Sequence, residues 1–127
     1  MTFSAVDGNR EAKEMADELG EIFLREGKFH RLQYNVGSAY LDGRGTRKNY
    51  PAAIQWLEMA AEGGVTDAQF NLGIVYRDGG GVTRNLARSY YWLRRAASDG
   101  DIEAERIAVA VRARMTEDEL LASALGG

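Results

Sequence analysis

The sequence predicts an all-α protein built as a stack of helical-pair repeats. Three observations carry that prediction. First, the stretch from Gln33 to Gly64, QYNVGSAYLDGRGTRKNYPAAIQWLEMAAEGG, recurs from Gln69 to Gly100 as QFNLGIVYRDGGGVTRNLARSYYWLRRAASDG. Gly37 matches Gly73, Tyr40 matches Tyr76, Trp56 matches Trp92 and Gly64 matches Gly100, each 36 positions on (73 − 37 = 36) with no gap. Self-similarity at a fixed period of this length marks a repeat array, in which each unit buries its apolar face against the next. Second, the apolar residues within each unit fall at helical spacing. Third, Gly and Asn stand where helices must stop and start.

Composition narrows the class. The chain has 127 residues, enough for one domain with a real core. It is 45% hydrophobic and 28% charged, with a net charge of −3. Mild acidity with interleaved charges argues against a nucleic-acid partner, which calls for a clustered basic surplus. The chain contains no cysteine, which excludes disulfides, thiolate metal sites and cysteine nucleophiles. The opening MTFSAVDGNREAKEM has no apolar core of a secretory signal. No apolar run reaches the roughly 20 residues of a membrane span. The expected setting is therefore cytoplasmic, without membrane insertion. A chain cut from a longer precursor would instead be secreted or periplasmic.

The elements follow in order. Residues 1–30 read as a loose arm and a capping helix. Ala12, Met15, Ala16, Leu19, Ile22 and Phe23 form one helical face between Arg10 and Glu26. Repeat 1 (31–66) has helix A from about Phe29 to Leu41, a loop from Asp42 to Lys48, and helix B capped by Asn49 with Pro51 in its first turn. The stripe Ala53, Trp56, Leu57, Ala60 and Ala61 faces the core, and Gly63-Gly64 ends the helix. Repeat 2 (67–102) opens with Thr66-Asp67-Ala68-Gln69, which matches a capping box. Its helix A runs to about Arg77, Asn85 caps helix B, and Ser89, Trp92, Leu93, Ala96 and Ala97 form its stripe. Residues 103–127 read as a degenerate third repeat, with Val109 where Gly is expected, and a final helix capped by Thr116 and Glu119. Leu120, Leu121 and Leu125 are expected to fold back onto the stack. Two repeats leave open ends, and about three units are usually needed for stability. The terminal helices are expected to supply the remainder, giving one structural domain over 9–125.

Leu72-Gly73-x-x-Tyr76 and Val36-Gly37-x-x-Tyr40, the Gly-rich loop between helices, and Trp-Leu-x-x-Ala-Ala at Trp56 to Ala61 and Trp92 to Ala97 resemble the Sel-one-like repeats of the tetratricopeptide-like superfamily. The resemblance spans about residues 31–108. The ending from Ala113 to Leu120 resembles the tail that often closes bacterial members. The resemblance implies an α/α right-handed superhelix and a role as an adaptor or scaffold.

Candidate sites are few. Gly79-Gly80-Gly81 lacks the preceding strand and the Lys-Ser/Thr of a phosphate loop, and reads as an inter-helix turn. Asp42 and Asp78 lack the alternating oxygen ligands of a calcium loop. His30 is the single histidine and reads as a surface residue at a helix start. Neither a metal site nor a cofactor is expected, and no nucleophile, base and orienter converge. An enzyme is therefore not expected. Trp56 and Trp92 read as core.

In the tetratricopeptide superfamily the outer side of the A helices lines the concave groove where partners dock. Here that side carries Tyr34, Asn35, Ser38 and Leu41, then Phe70, Asn71, Ile74 and Arg77, then Arg106 with Ala110 and Ala113. These residues are the candidate partner-binding strip, weighed against simple packing between neighbouring A helices. The function expected is protein–protein interaction through this groove. The alternative is a dedicated inhibitor or immunity protein against a toxin or enzyme. Self-association through an incompletely capped end is compatible with either.

Overall fold

Asn49 and Asn85 start the second helix of each pair. Each has an extended backbone, and each side-chain oxygen accepts from the backbone N–H three residues on, at Ala52 and Arg88 respectively. That bond satisfies one of the donors that a helix start leaves open. The computed structural model describes residues 28–126, and the helix expected at 10–26 lies outside them. Six helices are present among the described residues: α1 (Lys28–Asp42), α2 (Tyr50–Glu62), α3 (Thr66–Asp78), α4 (Leu86–Ser98), α5 (Ile102–Arg112) and α6 (Glu117–Ala124). No strand occurs among those residues. Helix α1 packs on α2, α2 on α3, α3 on α4, and α4 on α5, which is the zigzag of a helical-pair solenoid.

The inner contact of each pair is set by a glycine within a helix. A Cβ placed on Gly37 would stand 2.9 Å from Leu57 Cγ, and one on Gly73 would stand 2.5 Å from Leu93 Cγ. Gly costs about 1 kcal/mol against Ala inside a helix. In both repeats it allows the facing leucine to bury completely. The pair in repeat 2 is further tied by Ser89, whose hydroxyl donates to the Gly73 carbonyl at 2.6 Å. Each second helix leaves through a left-handed glycine, Gly64 (φ +96°) and Gly100 (φ +99°), a backbone state that L side chains avoid.

Two apolar clusters fill the stack. The first joins Leu57, Ala60 and Ala61 of α2 with Val65, Ala68, Leu72, Tyr76 and Trp92. The second joins Leu86, Leu93 and Ala96 with Ala104, Ala108 and Val111. Trp92 is buried and lies between repeats. Trp56 is only half-buried.

Three expectations need correction. Thr66 does not cap α3. The cap position is Val65, which makes no side-chain capping bond. The Thr66 hydroxyl instead donates to Asp99 Oδ2 at 3.1 Å, and Gln69 donates to the Ala61 carbonyl at 3.0 Å. The short turn from α2 buries Gln69, so its amide serves the preceding helix end. The final leucines do not all return to the core: Leu120 is half-buried, but Leu121 and Leu125 are 63% and 82% exposed. The cause is that α6 lies across α4 rather than beside α5, and buries Ser123. His30 is part-buried rather than a surface residue, with its ring against Gly63 and Nδ1 2.9 Å from Gln33 Oε1. The cap at Thr116 with Glu119 forms as expected, and Asp101 caps α5 by accepting from the Ala104 N–H.

A polar network joins the two repeats. The Tyr76 hydroxyl donates to Glu58 Oε1 at 2.9 Å, and Arg88 Nη1 lies 3.4 Å from both oxygens. Burial, then the Glu58 carboxylate, raises the Tyr76 hydroxyl above the ordinary phenol range, outweighing the opposite pull of Arg88. A raised pKa in the folded state means that folding favours the proton. The resulting stability is complete below about pH 10 and is lost as pH rises through the folded pKa. Tyr76→Phe should lower stability by about 1 kcal/mol at neutral pH and flatten the alkaline decline of Tm. Thermal melts from neutral to alkaline pH check this, and parallel declines in both proteins would contradict it.

Candidate functional site: the A-helix face

The candidate strip lies on α1, α3 and α5, and the structure divides it. On α1, Tyr34 and Leu41 are half-buried and pack against the first apolar cluster. The Arg31 guanidinium sits 5.3 Å over the Tyr34 ring and donates to Asp67 Oδ2 at 3.0 Å, which links the two repeats across this face. Asn35 is exposed. Ser38 is buried, and its hydroxyl accepts from Arg44 Nη2 at 2.8 Å, so it is engaged within the fold. On α3, Phe70 is half-buried and packs against the second cluster, while Asn71 and Ile74 are half-buried. Arg77 Nε donates to Asp78 Oδ1 at 2.8 Å. That bond raises the Arg77 guanidinium and holds the Asp78 carboxyl below the usual range, so both stay charged across ordinary pH.

Arg77 and Arg106 come together. With Glu103, Ile107, Ala110 and Arg114 they line a recess of about 440 Å³ between α3 and the α5 end of the stack. Arg106 pairs with Glu103 on its own helix and remains 76% exposed at the side chain. The recess thus carries three guanidinium groups against one lining carboxylate, on a chain whose net charge is −3. Its floor at Ile107 and Ala110 is apolar. The remaining strip residues, Tyr34, Asn35, Ser38, Leu41, Phe70, Asn71 and Ile74, do not line this recess.

Sequence reasoning missed Glu103, Ile107 and Arg114. The period itself contained the signal. Ile107 stands 36 positions after Asn71, and Arg114 stands 36 after Asp78. The second exchange replaces an acid with a base and shifts the charge of the groove at this end. Among the described residues, no group of three or more His, Asp or Glu side chains could hold a metal ion. No helix among them is long and apolar enough to cross a membrane.

Comparison with known proteins agrees with this architecture. The Sel1 repeat family model matches residues 30–65 and 66–101. A search of curated proteins finds no match. Among solved structures, the chain is similar to a protective antigen present in uropathogenic Escherichia coli strains displaying an SLR fold, with 26% identity over 85% of this chain and a TM-score of 0.69. It is also similar to a Sel1 repeat protein from Oxalobacter formigenes, with 35% identity over 63% of this chain and a TM-score of 0.57. The chain spans 27% and 32% of the lengths of those two proteins.

The division of the strip is testable. Phe70→Ala should cost about 2 kcal/mol, because the ring fills space against α5. Arg106→Ala should change stability by less than about 0.5 kcal/mol, because its ion pair is exposed. Urea unfolding of the two variants measures both, and equal losses would contradict the division.

Proposed function

Because the chain belongs to the Sel1 repeat family, with two units matched over more than half its length, we propose that it is a non-catalytic interaction module that holds a segment of a partner protein on its A-helix face. The recess around Arg77, Arg106 and Arg114 carries this reading. Its chemistry suits an acidic stretch with an apolar side chain: the guanidinium groups meet the carboxylates in bidentate fashion, and Ile107 and Ala110 receive the apolar group. Asn35 and Asn71, one repeat apart on the same face, offer amides that can both donate to and accept from the main chain of a docked peptide.

Most of the strip on α1 is committed to packing, so the α3–α5 end supplies the specificity. Such a partner gains association rate and selectivity from the basic patch more than raw affinity, and the binding should weaken as salt rises.

The test is charge reversal at two arginines of the recess, half-buried Arg77 and exposed Arg106. Arg77→Glu combined with Arg106→Glu should abolish co-purification of the partner from the native cell while leaving the helical circular dichroism unchanged. Arg47→Glu, in the exposed loop after α1, should retain the partner. Full capture by the double variant would overturn the assignment.

A further inference from the structure

The third helical pair is incomplete in a way that leaves a shaped vacancy. In repeat 2, α4 seats in the niche formed by α2 and α3. Leu93 drops onto Gly73, and Arg88 reaches Glu58 and the Tyr76 hydroxyl. One period later the corresponding niche is formed by α4 and α5. No helix fills it. Seven residues separate α1 from α2 (43–49) and α3 from α4 (79–85), but four separate α5 from α6 (113–116). That short turn carries α6 across the outer side of α4, where it borders a different hollow with Tyr91, Arg95 and Ser98. The niche therefore stands open as a cavity of about 320 Å³ lined by Tyr90, Arg94, Glu105, Ala108, Val109 and Arg112. Val109 is 63% exposed at its centre.

The lining occupies the same six positions as the filled niche, one period on, but every residue differs: Tyr90, Glu105 and Ala108 stand for Ile54, Gln69 and Leu72, and three further exchanges set what the niche can receive. Where repeat 2 offers Glu58, this niche offers Arg94 (94 − 58 = 36), and where repeat 2 offers Tyr76 it offers Arg112 (112 − 76 = 36). The spot that receives Arg88 has thus changed from acidic to basic. Arg94 is bonded to Glu105 at 3.0 Å, and Arg112 makes no ion pair among the described residues. Where repeat 2 offers Gly73, this niche offers Val109. A Cβ at that place would stand 2.5 Å from a leucine seated as Leu93 is, so the floor is too high for leucine.

We infer that the niche between α4 and α5 binds a single amphipathic helix from a partner protein, seated as α4 is on α2 and α3, with a carboxylate where α4 has Arg88 and a small residue where α4 has Leu93. The apolar stripe of that helix covers Ala108 and Val109, and its carboxylate meets Arg94 and Arg112. This site lies apart from the recess on the A-helix face, and neither depends on the other.

The probe is the α4 sequence itself, Asn85–Asp99, as a labelled peptide. A lactam bridge between the positions of Arg94 and Ser98, both exposed, holds it helical. The peptide carrying Arg88→Glu and Leu93→Ala should bind the full chain at least about tenfold more tightly than the unaltered peptide, measured by fluorescence anisotropy. In the chain carrying Arg94→Glu and Arg112→Glu, the peptide with Leu93→Ala alone should become the tighter ligand. The Arg77→Glu, Arg106→Glu chain should bind the altered peptide unchanged, which separates this site from the A-helix recess. No binding, or the same order of affinities in both chains, would overturn the inference. So would a dimer in light scattering that Val109→Glu dissolves, since a second copy would then be the occupant.

Discussion

The approach of Leu93 to Gly73 fixes where α4 can lie, and most of the remaining structure follows from that placement. Interiors are packed densely enough that a single added methyl is felt. The absent Cβ at Gly73 lets α4 come close enough for Ser89 to reach the Gly73 carbonyl and for Trp92 to enter the first apolar cluster. From that position α4 also presents Arg88 to Glu58 and Tyr76, so one helix binds two repeats together. Repeat 1 uses the same device with Gly37 and Leu57. The spacing within each helical pair is therefore set by a glycine and a leucine 20 positions apart in sequence (93 − 73 = 20).

Function is expected where this device stops operating. Val109 raises the floor at the third pair, and the short turn after α5 sends α6 over α4 instead. The result, among the described residues, is a stack with an open lateral niche and a separate basic recess. Both gain arginines relative to the earlier repeats, Arg94 and Arg112 in one and Arg106 and Arg114 in the other. A repeat array supplies a rigid frame cheaply in sequence terms, and departures from the repeat then mark where it meets other molecules.

The fold was legible because its determinants are local or periodic. Asn49, Asn85 and Thr116 with Glu119 cap helices through bonds within three residues, so their roles can be read without tertiary knowledge. The recurrence of Gly37 at Gly73 marked the repeat, and the close helix contact behind it is seen only in the folded pairs. Thr66 was misread because Gln69 had a better acceptor, the Ala61 carbonyl, which only the folded inter-repeat turn brings near. Leu121 and Leu125 were misread because the direction of α6 depends on turn length and not on its own stripe. The candidate strip was half legible. Helical geometry placed all its residues on one face, but the fate of Ser38 and Phe70 depended on Arg44 and on the second cluster, which lie elsewhere in the sequence. Arg77 and Arg106 share a recess because adjacent repeats stack, which the period did foretell.

The most direct test of the central constraint is a double-mutant cycle between positions 73 and 93, read by urea unfolding. Gly73→Ala in the natural background should destabilise the protein by about 1–3 kcal/mol, since overpacking outweighs the helical preference of Ala. In the Leu93→Ala background the same change should be neutral or stabilising, giving a coupling energy above about 1 kcal/mol. Additive effects of the two substitutions would show that the glycine is not there to admit the leucine, and would contradict the account of how the stack is set.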